Sequence, residues 1–288
     1  MQLITDSGYI ESAGGALLRR VGDWATVGGV AGTGFEAYAR ILHPVDVTDE
    51  HGASRRMAWR DVAAVTGAQM HPQVQWWAVA GRSPAEATDC YSMTLPNGWQ
   101  LTVDLEGRLD PAIMAELTTL LAAHIDPMTG LFAAIWAGWG ELHGPDATLY
   151  LVASDGPVSE QAGPRPEAVS TRLLDPAVTR ATTDGPFLDW PGREMLVFAT
   201  SLEELGDPEY GYRSGIGWDH RFGWGPVPAL VWPRGDAWVV ATEVDWAWTL
   251  VGGTRSLIDE ILSDARFESF EVVESDELTF ESDNINRT

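Results

Sequence analysis

Between residues 35 and 42 apolar and polar positions alternate, with Phe35, Ala37, Ala39 and Ile41 on one side and Glu36, Tyr38, Arg40 and Leu42 on the other. A period of two is the mark of a strand with one buried face, and His43-Pro44 ends it. The spacing then changes: Trp59, Val62, Ala63 and Thr66 fall three or four apart, which predicts a helix over 57–66 stopped by Gly67. Residues 73–79, with the Trp76-Trp77 pair, follow neither period. After a turn at Pro96-Asn97-Gly98, Trp99, Leu101, Val103 and Leu105 alternate again and predict a second strand. The clearest helix comes next. Asp110 can cap it, Pro111 suits the first helical position, Ile113, Leu117, Leu120 and Leu121 make one stripe, and Asp126-Pro127 stops it.

Residues 131–139 are apolar all round, so periodicity leaves a buried strand and a short buried helix equally open. A strand is expected at 148–153. From 155 to 192 six prolines and several glycines interrupt any period, which predicts a long irregular connection. Order returns with an apolar strand at 194–200 and a capping-box pattern, Ser201-Leu202-Glu203-Glu204, that should open a short helix. Strands follow at 229–232 and 236–248, joined at Pro233-Arg234-Gly235, then a helix carrying Leu257, Ile258, Ile261 and Leu262. In the 236–248 strand Trp238, Val240, Val244, Trp246 and Trp248 share the face expected to be core, which leaves Glu243 and Asp245 exposed on the other. Together these elements predict an α+β fold, mostly antiparallel or mixed sheet with a few packed helices. The expected organisation is a single compact unit of two lobes, about 1–154 and 193–288, joined by the Pro/Gly-rich segment 155–192.

Charge narrows the function classes. The 288 residues hold 42 acidic and 18 basic side chains, a net charge of −24. Such a field repels phosphate backbones, so nucleic acid is not expected as a ligand. All 18 basic residues are arginine. With no lysine the chain lacks a Schiff-base nucleophile, a phosphate-loop lysine and the strand lysine of protein kinases; a GC-rich genome explains the same bias without function. Cys90 is the only cysteine, which excludes an internal disulfide and a cysteine zinc site, and Asp89 beside it weakens any thiolate. Residues 1–6 lack a basic start followed by an apolar run, and the longest apolar stretch is too short for a bilayer, so a cytoplasmic protein off the membrane is expected. Residues 256–288 hold ten acids against two arginines and predict a solvated tail or edge.

Two constellations carry candidate chemistry. Glu243 and Asp245 lie two apart, so in a strand their carboxylates point the same way, as an acid/base pair or a cation site needs; a solvated strand face is the plain alternative. Trp218-Asp219-His220-Arg221, followed by Gly223-Trp224-Gly225, sets a carboxylate, an imidazole and a guanidinium in an aromatic, glycine-rich loop. Asp219 and His220 are its candidate catalytic groups and Trp218, Arg221 and Trp224 its candidate binding groups. An ion-paired surface turn accounts for the same residues. Gly32-Thr33-Gly34 with Ala37 has the spacing of a dinucleotide loop, but an alternating segment follows where that motif needs a helix. The remaining histidines show no metal spacing, so neither metal nor cofactor is expected. Fourteen tryptophans are the unusual feature, and any that are exposed would mark a contact surface.

Several blocks also carry a resemblance. Residues 34–44 read Gly-Phe-Glu-Ala-Tyr-Ala-Arg-Ile-Leu-His-Pro, followed by Trp59-Arg60-Asp61-Val62-Ala63 and His71-Pro72-Gln73-Val74-Gln75-Trp76. Toward the other end stand Leu230-Val231-Trp232-Pro233, Trp238-Val239-Val240-Ala241-Thr242-Glu243-Val244-Asp245, Thr249-Leu250-Val251-Gly252-Gly253 and Asp283-Asn284-Ile285-Asn286. In these blocks the chain resembles a widespread family of uncharacterised bacterial proteins. The resemblance implies one unit over most of the chain and brings no activity, ligand or catalytic residue; residues 210–225 depart from the pattern. The expected function is a non-enzymatic acidic protein-binding module, inhibitor- or immunity-like, with a basic protein as partner. The alternative is a small-molecule or carbohydrate-binding protein or hydrolase whose cleft sets Asp219, His220, Glu243 and Asp245 against tryptophan walls.

Overall fold

The computed structural model describes residues 1–83, 85–86, 92–95, 98–102, 107–143, 172–220 and 225–287. The expected strand at 148–153, the turn residues Pro96 and Asn97, Cys90, Arg221 and Trp224 lie outside them.

The chain begins with β1 (Gln2–Leu3) and α1 (Ser7–Leu18), whose first turn is capped by the Asp6 carboxylate accepting from Tyr9 N–H. The Thr26 hydroxyl caps α2 (Val27–Ala31) in the same way, and β2 (Ala37–Leu42) follows. Next come β3 (Val45–Thr48), β4 (Ser54–Met57), α3 (Trp59–Thr66), α4 (Trp76–Val79), β5 (Ser92–Thr94) and β6 (Gln100–Thr102). The α3 helix stops where expected, at Gly67 with φ +86°. Asp110 caps α5 (Pro111–Leu121), accepting from Ala112 N–H, with Pro111 at the first position. Its buried stripe is Met114, Leu117, Thr118 and Leu121, with Ile113 and Leu120 only half-buried at its margin.

The apolar run after it is a strand, β7 (Leu131–Trp136). The segment expected to be irregular is ordered over its described part, with β8 (Arg172–Leu174), α6 (Pro176–Asp184) and β9 (Leu188–Trp190). Local caps explain the difference: Asp175 accepts from Ala177 N–H, so Pro176 opens a helix where it was expected to break one. The chain continues through β10 (Arg193–Thr200), α7 (Leu202–Leu205), α8 (Tyr210–Arg213), β11 (Ile216–Asp219), β12 (Leu230–Pro233), β13 (Val239–Ala241), β14 (Trp248–Gly253), α9 (Arg255–Ser263) and β15 (Ser269–Val272). The fold is α+β.

A nine-stranded sheet runs β1-β10-β7-β12-β13-β14-β2-β15, with β9 added on β10, and its ladders are antiparallel. Strands β1, β2 and β7 from the first expected lobe and β10 and β12–β15 from the second are interleaved in it, so the two share one sheet. A smaller sheet, β4-β3-β6-β5, and the β11-β8 pair stand beside it.

Both faces of the large sheet are covered, which corrects the expectation of one buried face. Tyr38, Leu42, Val239, Ala241 and Trp248 enter one core, whereas Ala37, Ala39, Ile41, Trp238 and Val240 enter the other. The expected 236–248 strand is therefore two strands: the chain turns at 243–246, and Trp238 and Trp248 end in different cores. Residues 256–287, expected as a solvated tail or edge, form an edge, with β15 the last strand of the large sheet, and not a free tail. The β15 strand pairs with β2, and Leu278, Ser282 and Asp283 are buried. Among the described residues no helix is long and apolar enough to cross a membrane.

Candidate functional site

Three pieces of backbone converge beside β10. The first is the loop after α1. Its carbonyl and amide groups pair with the C-terminal segment: Leu278 N–H donates to Ala25 O at 3.0 Å, Val27 N–H to Asp276 O at 3.0 Å and Gly28 N–H to Glu274 O at 2.8 Å. Ala25 adopts φ +62°, a conformation that costs a non-glycine residue about 1–3 kcal/mol and persists only where neighbours enforce it. The result is that Trp24 stands 78% exposed on a pinned loop.

The second piece is the β9–β10 hairpin, where Trp190 pairs with Arg193 across Pro191 and Gly192. Proline presets φ at the first central position and Gly192, at φ +76°, supplies the positive φ of the second, the pattern of a type II turn. It delivers Arg193 at the start of β10. The third piece is the turn closed by Trp246 N–H donating to Glu243 O at 3.1 Å, braced from outside by Gly107 N–H donating to Trp246 O at 2.9 Å.

Between them lies an open cleft of about 160 Å³, lined among others by Trp24, Trp190, Arg193, Glu243, Asp245 and Trp246. Arg193 Nη2 donates to Glu243 Oε1 at 2.7 Å and to Asp245 Oδ2 at 2.6 Å. Burial alone would lower the guanidinium pKa, but the bonds and charges of the two carboxylates outweigh it and raise the value. The Arg193 guanidinium also lies 5.1 Å from the Trp136 ring centre, and Trp246 leans on Trp248 at 4.3 Å. Glu243 is half-buried, whereas the Asp245 side chain is 72% exposed. The two carboxylates therefore lie in a turn, where a strand face was expected, and a guanidinium fills the space between them that the bond to be cleaved would need in an acid/base pair.

Neither Asp219 nor His220 lines this cleft, so the structure separates the four residues expected to share one. Asp219 closes β11 and is buried. His220 is exposed and stacks on Tyr212 at 4.2 Å. Trp218, expected to bind, is a core residue 3% exposed: its indole N–H donates to Pro226 O at 2.8 Å, and the ring presses on Gly211 and Gly225, where any Cβ would collide with it. Gly34 N–H donates to the Glu274 carboxylate at 2.9 Å, so an acid holds the loop that resembled a dinucleotide motif. His43 Nε2 bonds Thr249 Oγ1 at 2.8 Å and His71 Nε2 bonds Asp283 Oδ1 at 3.0 Å. Among the described residues no group of three or more His, Cys, Asp or Glu side chains could hold a metal.

Sequence reasoning missed Trp24 and Arg193. The Pro191-Gly192 pair was a usable signal for a hairpin that aims Arg193; the exposure of Trp24 depends on pairing with residues some 250 positions away and has no local signature. Gly107 is a third missed contributor. It adopts φ +70°, and a Cβ there would run into the Val244 carbonyl oxygen. Gly107→Ala is expected to cost at least about 1–3 kcal/mol in strain and to displace the Glu243–Trp246 turn; chemical denaturation and the loss of the Arg193 ion pairs in a crystal structure of the variant would check it.

No family model, curated protein or solved structure matches the chain.

Proposed function

We propose that the protein is a non-enzymatic acidic binding module that recognises a basic protein, in the manner of an inhibitor or immunity protein. The cleft at Trp24 is its contact surface. The observation that carries this reading is Trp24 itself, a large ring left 78% exposed on a loop pinned by three backbone hydrogen bonds, beside the exposed carboxylate of Asp245. An exposed tryptophan on a pinned backbone has little backbone entropy to lose on binding, and tryptophan is among the residue types enriched at interface hot spots. The net charge of −24 draws a basic partner toward it and repels nucleic acid. Action in the cytoplasm and membership of the bacterial family that the chain resembles belong to the same proposal.

Hot-spot truncation typically removes 2 kcal/mol or more, so Trp24→Ala should weaken partner binding by at least about 30-fold. The check is affinity capture from the native lysate with wild type and variant, in low and high salt. A basic protein held by wild type and released by the variant and by salt is expected; a protein held equally by both sinks the reading.

A second reading has one specific observation in its favour. An aromatic face beside an arginine and two carboxylates can also hold a sugar or other small polyol. Saturable perturbation of Trp24 by neutral monosaccharides in the absence of any protein would favour it.

A further inference from the structure

We infer that the cleft takes the cationic end of an arginine or lysine side chain presented by the partner, stacked on Trp24 and paired with Asp245. The inference rests on the binding reading above and specifies its chemistry.

Charge bookkeeping within the cleft is the first ground. Its lining has one guanidinium, Arg193, against two carboxylates, Glu243 and Asp245, so it keeps a net charge of −1. Arg193 engages one named oxygen of each, Glu243 Oε1 and Asp245 Oδ2, and the Asp245 side chain remains largely exposed. A second cation adds to this arrangement without breaking either bond. A sugar hydroxyl seeking the same inner oxygens would have to displace the guanidinium, and an anion would be repelled.

The second ground is the way the chain uses its own tryptophans. Arg108 lies over Trp139 at 3.8 Å, Arg55 over Trp99 at 4.3 Å and Arg40 over Trp248 at 4.9 Å. Cations favour the negative face of an indole, and arginine does so most readily because its guanidinium is flat and weakly hydrated. Among the described residues no ring and no cation is stacked on Trp24. Its face is left for an outside group, and the cleft it lines carries a net negative charge.

Size is the third. The cleft is small and open at the surface. It has room for one guanidinium or ammonium with a few methylenes. The remaining contact with the partner then lies around the rim, where the long-range field of an acidic protein acts on rate and specificity.

The test uses the full chain with its indole nitrogens isotopically labelled, the Trp24 signal being identified by its loss in Trp24→Phe. Three capped probes are titrated: N-acetyl-arginine amide, N-acetyl-lysine amide with a free side-chain amine, and N-acetyl-citrulline amide, which keeps the shape of arginine without its charge. The arginine and lysine probes should shift the Trp24 signal saturably and the citrulline probe should not; Asp245→Asn, an exposed change that leaves the core intact, should weaken the arginine response about tenfold, as should high salt. Equal responses to arginine and citrulline, or an unchanged response in Asp245→Asn, overturn the inference. A response to glucose alone overturns it in favour of the sugar reading. Trp24-dependent capture of a basic protein with no arginine response overturns this inference but leaves the binding reading standing; capture that ignores Trp24 removes both.

Discussion

Asp283→Ala is expected to destabilise the protein by about 3–5 kcal/mol, the range for removing one partner from a buried charged network. Asp283 is fully buried. Its Oδ1 accepts from Ile285 N–H at 3.1 Å and Asn286 N–H at 3.0 Å and meets His71 Nε2 at 3.0 Å. Its Oδ2 accepts from Gln75 N–H at 3.2 Å and the Asn286 side chain at 2.9 Å. Alanine leaves these donors facing one another with nothing to accept from them. Burial pulls the Asp283 carboxyl pKa up, but the donors from Asn286, Gln75 and His71 prevail and hold it below the usual range. A depressed carboxyl contributes stability that is present above the unfolded value near 3.9 and is lost as pH falls through the folded one. The wild type should therefore lose stability below about pH 4, and Asp283→Ala should lose less over that window. Thermal denaturation at neutral pH should show the variant lower by roughly 10 °C. A shift of a degree or two would mean that the C-terminal segment is not held by this carboxylate. The consequence reaches the candidate site, because residues 274–278 of the same segment pin the Trp24 loop; amide exchange at 25–30 should rise in the variant.

That coupling marks what could be read from the chain and what could not. Local rules carried well where the deciding partner is near in sequence. Asp110-Pro111 opens α5 and Gly67 ends α3, and Ser201 accepts from Glu204 N–H as its capping box implied. They failed where a partner far along the chain decides. The alternation around β2 implied one wet face, yet every residue of β2 is buried, because helices and loops cover both sides of the sheet. Glu243 and Asp245 were legible as a pair, but period-two reasoning put them in a strand. The turn that holds them is braced by Gly107 and its charge is set by Arg193, neither of which is near in sequence. Trp218 looked like a binding residue because it stands in a glycine-rich stretch. Those glycines serve the opposite end, making room for a buried ring.

Arg40 is the other position where a large effect is expected, and there the sign depends on what replaces it. Its side chain is wholly buried and leaves β2 toward the core that contains Trp59 and Trp248. Nη1 donates to Pro72 O at 2.8 Å, while among the described residues Nε and Nη2 find no hydrogen-bond partner. The guanidinium lies 4.9 Å from one Trp248 ring centre and 6.0 Å from that of Trp59. Burial lowers its pKa to about 9, partly countered by the charge of Asp283, so the group remains a cation at neutral pH. Two effects oppose each other. A desolvated cation with unmade hydrogen bonds costs several kcal/mol, whereas the volume it fills between two indoles is worth somewhat more in packing. Arg40→Ala removes both and leaves a cavity, so only the difference is felt, an expected loss of about 1–3 kcal/mol. Arg40→Met keeps an unbranched chain of similar reach and removes only the charge. It should be more stable than Arg40→Ala by at least about 2 kcal/mol and should approach or exceed the wild type, as buried ion pairs replaced by apolar groups often do. Urea denaturation of the three proteins decides between the effects. If methionine proves as damaging as alanine, the guanidinium's stacking on Trp248 and its attraction to Asp283 outweigh its desolvation, and Arg40 is a stabilising member of the Asp283 network.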